Sequence, residues 1–128
     1  MAGSIVVTTV DKGQSVTEYK LAWTSDASGD VSGADGQFSL MRGLVWAVKF
    51  VPGTGGNQPT DLYDVKLNDA DTVDLIVATG DNLSNSTSSR NIPHKNNLPM
   101  FFEGGTVTLV VANAGNAKKG TVYIYMQG

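Results

Sequence analysis

The sequence predicts an all-β protein, a small antiparallel two-sheet sandwich with long loops and almost no helix. Three observations carry this. Most apolar segments alternate with polar residues at period two, the signature of a strand with one buried face. No stretch of helical length repeats apolar residues at a 3.6-residue spacing. Glycine is abundant, at 15 residues, and with Ser, Thr, Asn and Asp it breaks the runs where turns are needed. About seven or eight strands fit this pattern, wound in a jelly-roll-like sandwich, with a partly open barrel as the rival.

Residues 1–10 read as an N-terminal arm or first strand, and residues 11–128 as a single β-sandwich domain. β-Branched residues fill 4–10, and DKGQ (11–14) is a turn by composition. In 15–24, Tyr19, Leu21 and Trp23 share one face. The glycine-rich 25–36 is a long loop or a weak edge hairpin around Val31. QFSLM (37–41) alternates and is interrupted at Arg42-Gly43. In LVWAVKFV (44–51), strict alternation puts Leu44, Trp46, Val48 and Phe50 on one face, and a run this apolar belongs in a sheet centre. PGTGGNQP (52–59) is a loop. LYDVKL (62–67) faces Tyr63, Val65 and Leu67 one way. VDLIVA (73–78) reads as a short strand or the end of an extended segment, and 79–89 as loop with one helical turn after Asp81. Pro93 and Pro99 constrain the connector 91–99. TVTLVVA (106–112) and GTVYIYM (120–126) are strands that read as a hairpin pair.

Composition narrows the chemistry. Cysteine is absent, which excludes disulfide frameworks, Cys-ligated zinc and thiol catalysis. The net charge is −3, and the one basic pair, Lys118-Lys119, is a poor footprint for phosphate, so no nucleic-acid partner is expected. No apolar run is long enough for a membrane helix, so no membrane partner is expected. The first residues lack the basic-then-apolar order of a secretion signal. Without such a signal, the sequons at Asn82 and Asn85 carry little meaning.

Each candidate site has a simpler structural role beside the chemical one. Asp69, Asp71 and Asp74 crowd together, but the central glycine and closing glutamate of a calcium loop are missing, so backbone-capping aspartates in a turn are expected. Asp26, Asp30 and Asp35 could hold a hard cation through loop carbonyls, but Gly29, Gly33 and Gly36 favour a mobile surface loop. His94, the single histidine, has no nucleophile motif beside it. Glu18 and Glu103, the two glutamates, show no acid–base pairing of the glycosidase kind. GTGG (53–56) lacks the Gly-Lys-Ser/Thr ending of a phosphate loop. No catalytic residue, cofactor or metal is therefore predicted. The aromatics Tyr19, Trp23, Phe38, Trp46 and Phe50 read as core. The residues predicted to meet a neighbour are Ile5, Val6, Val7 and Val10 in the first strand, the adjacent Phe101 and Phe102, and Tyr123 and Tyr125, which face away from Val122 and Ile124.

Residues 62–83 (LYDVKLNDADTVDLIVATGDNL) and 105–126 (GTVTLVVANAGNAKKGTVYIYM), with the Pro/Gly-rich loop before the first, resemble small structural proteins of tailed bacteriophages. The resemblance implies a non-enzymatic virion protein, made in the host cytoplasm, that decorates or stabilises a capsid through repeated symmetric contacts. It implies self-association and contact with the major capsid protein or other virion proteins. A subunit of the head–tail junction or tail is the alternative within that class. A carbohydrate- or receptor-binding β-sandwich module is the alternative outside it, with Phe101 or Phe102 near Asn96 and Asn97 as its candidate site.

Overall fold

The computed structural model describes residues 2–128. The described residues form ten strands in two antiparallel sheets, a nearly all-β sandwich. The strands are β1 (Ser4–Gly13), β2 (Val16–Thr24), β3 (Gln37–Leu40), β4 (Gly43–Pro52) and β5 (Asp64–Asn68). They continue with β6 (Ser89–Asn91), β7 (His94–Lys95), β8 (Leu98–Phe102), β9 (Gly105–Ala112) and β10 (Lys119–Gln127). The large sheet runs β1-β2-β10-β4-β8-β7, with β6 also paired to β4; the small sheet runs β3-β9-β5. From β2 to β6 the chain alternates between the layers; β6, β7 and β8 then stay in the large sheet, before β9 crosses to the small sheet and β10 returns.

The core lies between the sheets. Leu21, Trp23, Val48, Phe50, Val122, Ile124 and Met126 point inward from the large sheet and are buried. Val65, Leu67, Val107, Leu109 and Val111 meet them from the small sheet. Two aromatic contacts tie the layers: Trp23 to Tyr63 at 5.7 Å between ring centroids, and Tyr19 to Phe38 at 6.2 Å. The Tyr19 hydroxyl accepts the Met41 backbone N–H at 3.0 Å, so its polar end is satisfied inside the core. Gly120 lies directly under the Trp23 ring, and a Cβ there would occupy the indole's space. Buried Ser25 closes one end of the sandwich. Its hydroxyl donates to the Gly115 carbonyl at 2.6 Å and accepts the Lys118 N–H at 2.8 Å.

Several sequence expectations change. Trp46 is not core; it is 46% exposed. The register of β4 against β10 slips between Tyr125 and Met126, which pair with Ala47 and Val45, so Trp46 is the extra residue of a β-bulge. The bulge breaks strict alternation: Val45, Val48 and Phe50 point in, while Ala47, Lys49 and Val51 point out. The expected hairpin of 106–112 with 120–126 does not form. β9 is the centre of the small sheet and β10 a central strand of the large one, because the connection between them crosses the sandwich. The segment 73–78 is a series of tight turns rather than a strand. The Asp74 carboxylate accepts the N–H groups of Leu67, Ile76 and Ala78, curling the chain while Leu75 and Ile76 fill the core. No helical turn follows Asp81; the short 3-10 turns are at Gly33–Gly36 and Gly55–Asn57. The first turn is Gln14-Ser15, both with positive φ as a two-residue hairpin needs, and Asp11 to Gly13 still belong to β1. Val31 anchors the 25–36 loop by bridging to Val111, and it is fully buried.

The two tryptophans should therefore respond oppositely to truncation. Trp23→Ala is expected to cost about 3–5 kcal/mol, the loss of a buried indole. Trp46→Ala should cost less than about 1 kcal/mol, as for a surface residue. Urea unfolding followed by circular dichroism measures both; equal losses would place Trp46 in the core.

Candidate assembly surface

The small sheet covers one side of the large sheet, leaving the other side as an outer face. Alternation along β10 fixes which residues lie there: with Val122, Ile124 and Met126 buried inward, Thr121, Tyr123 and Tyr125 point out. Directly paired residues on neighbouring strands share a face, so the register assembles three rows across the sheet. The first is Val6, Ala22, Thr121 and Val51. The second is Thr8, Lys20, Tyr123, Lys49 and Arg90. The third is Val10, Glu18, Tyr125 and Ala47, with Trp46 beside it.

Cations lie on the two tyrosines of this face. Lys49 Nζ is 4.3 Å from the Tyr123 ring centroid, and the Arg90 guanidinium carbon is 5.4 Å from that of Tyr125. Glu18 is the one carboxylate of the three rows and is buried to 9% exposure. Its Oε2 is 3.8 Å from Lys12 Nζ, the only ion pair among the described residues. Lys12 reaches it because the register of β1 slips between Asp11 and Gly13, a bulge at the end of the strand. Burial raises the Tyr125 pKa, and interaction with the Glu18 carboxylate raises it further, against a smaller lowering by Arg90.

β1 forms the edge of the large sheet, paired on one side with β2 and free on the other. Val6 is 65% exposed. Val10 is exposed beside it on the outer face, and Val7 is partly exposed on the inner side. From Ser4 to Val10 the edge carries no lysine, proline or bulge, the devices that normally blunt a free strand.

The structure brings together four of the predicted contact residues, Val6, Val10, Tyr123 and Tyr125, on the outer face. Ile5 is half-buried and packs against the core from β1. Phe102 is buried in the core and presents no surface. Phe101 points the other way and is exposed, with the Arg42 guanidinium 5.9 Å from its ring centroid. It pairs with Leu44 near the β8 side, away from the rows built on Tyr123. Asn96 and Asn97 both have positive φ and form the turn between β7 and β8, so their role is in that turn. Sequence reading missed Trp46, Lys20, Lys49 and Arg90. The cations become neighbours only through pairing between strands far apart in the chain.

The other candidates have local roles. Asp69 Oδ1 accepts the Asp71 and Val73 N–H groups, each at 2.9 Å, and Asp26 Oδ1 accepts those of Ser28 and Asp30, also at 2.9 Å. Both are aspartates holding turns. Among the described residues no group of three His, Cys, Asp or Glu side chains could hold a metal ion. His94 is exposed on β7. No helix among the described residues is long and apolar enough to cross a membrane. Compared with known proteins, the chain matches no family model, no curated protein and no solved structure.

The tyrosines give the fold a pH dependence. Burial pushes Tyr63 up to about 12 from an ordinary 10.0, and Tyr125 is raised too. A pKa raised by folding contributes stability below the unfolded value and loses it as pH rises through the folded value. Urea midpoints should therefore fall between pH about 10 and about 12. Tyr63→Phe should flatten that fall, and an unchanged slope in the variant would exclude Tyr63 as a cause.

Proposed function

We propose that this chain is a non-enzymatic structural protein of a virion, one that decorates or stabilises a capsid through many copies of the same contact. The observation that carries the reading is the free edge of β1. An extended, unblunted strand rich in valine and threonine is a template for strand addition by a neighbour. Main-chain hydrogen bonds supply the pairing, and Val6, Val7 and Val10 give it side-chain contacts. One such contact is modest, and a symmetric particle multiplies it.

The winding of the chain supports the same reading. The strands β2-β10-β4-β8 of the large sheet face β3-β9-β5 of the small one, and the connections β2–β3, β3–β4, β4–β5, β5–β6, β8–β9 and β9–β10 pass between the sheets. We read this winding as jelly-roll-like, an architecture that capsid proteins share with lectins. Because lectins use it too, the fold alone does not choose between them. The β1 edge favours assembly over sugar binding.

The test is co-sedimentation with empty capsids of the virus that carries the gene. The wild-type chain should pellet with the particles. Val7→Lys puts a charge on the edge, the device that natural edges use to refuse a partner. It should reduce the bound fraction about tenfold while circular dichroism stays native. Wild-type protein left wholly in the supernatant would overturn the reading.

A further inference from the structure

We infer that the outer face of the large sheet is a second docking surface, built for the acidic surface of a partner protein. This goes beyond the assembly role of the β1 edge and rests on the cations of β2, β4 and β6.

The first argument is charge. The chain as a whole carries a net −3. Yet Lys20, Lys49 and Arg90 fall in one row of the outer face, on β2, β4 and β6. None of the three has a carboxylate within ion-pair distance among the described residues. The nearest acid by register, Glu18, is already engaged by Lys12. The aspartates that would normally answer these cations are elsewhere. Asp26, Asp61, Asp64, Asp69 and Asp74 spend carboxylate oxygens on backbone N–H groups of the loops. An acidic protein that gathers unpaired cations on one flat face leaves a positive field where an anionic partner fits.

The second argument is geometry. Strands in a sheet lie about 4.8 Å apart, so a row from β2 across β10 and β4 to β6 spans about 14 Å of backbone. Two or three carboxylates on a protein surface match that span. The tyrosines hold the cations in place, because Lys49 and Arg90 rest over the Tyr123 and Tyr125 rings. Positioned charges lose less side-chain entropy on binding than free ones.

The third argument separates protein from nucleic acid. Single-stranded nucleic acid binds sheet faces by stacking bases on open aromatic rings. Here the two central rings already carry cations. What surrounds them is Val6, Ala22, Val51 and the half-exposed Trp46. Tyrosine, tryptophan and arginine within an apolar border are the side chains that dominate protein–protein interfaces.

The experiment measures binding of the full chain to an immobilised random glutamate–tyrosine copolymer by biolayer interferometry. Oligothymidylate and heparin serve as the competing polyanions. The chain should bind the copolymer more tightly than either, and the affinity should fall as salt rises. The double variant Lys49→Glu, Arg90→Glu should bind about tenfold more weakly or worse. Lys20→Glu, at an exposed position in the same row, should also weaken binding, and it keeps the test informative if the double variant misfolds. Lys66→Glu, on the outer side of the small sheet, should bind as wild type. Val7→Lys should retain copolymer binding, which separates this face from the β1 edge. No copolymer binding, equal binding by a natively folded double variant, or tighter binding to oligothymidylate or heparin would each overturn the inference.

Discussion

The bulge at Trp46 is the constraint on which the outer face depends. With strict alternation, Leu44, Trp46, Val48 and Phe50 would all point inward, and Val45 would point out. One extra residue in β4 changes the parity between Val45 and Val48. The indole leaves the core, and Val45 enters it opposite Met126. An indole inside the sandwich would have needed a partner for its N–H and more space than valine leaves. Outside, it widens an aromatic face already set by Tyr123 and Tyr125. The same sheet thus has a dry side that fixes the fold and a half-wet side available to neighbours.

The two sides are coupled through β10. Its inward residues Val122, Ile124 and Met126 bind the layers together, while its outward residues stand between the cations of β2, β4 and β6. Pairing on both edges makes β10 a rigid platform, and surface groups mounted on such a strand are better positioned than groups on loops. Gly120 continues this economy at the strand's start, where the missing side chain gives Trp23 its place against Tyr63.

Much of this was legible in the sequence, for identifiable reasons. Period-two alternation located β2, β5, β9 and β10, because each has one face in the core. It also predicted the outward turn of Tyr123 and Tyr125, and it set Phe101 and Phe102 on opposite sides of their strand without choosing the outward one. It failed where an exception to the period decided the outcome. Nothing in LVWAVKFV marks the bulge, which arises from pairing with β10. VDLIVA has strand composition, yet the Asp74 carboxylate offers its backbone a better set of local hydrogen bonds. The β9–β10 pairing was misjudged because adjacency in sequence suggested a hairpin, whereas the six residues between them carry the chain across the sandwich. The row Lys20, Lys49 and Arg90 was invisible for the same reason: register between distant strands creates it.

The proposed assembly role turns on whether copies of this chain pair through the free edge of β1. Light scattering of the purified full chain over a wide range of concentration tests it most directly. If copies of the chain pair through that edge, the mass exceeds that of one 13.4 kDa chain and rises with concentration. A mass of one chain at every concentration would contradict it.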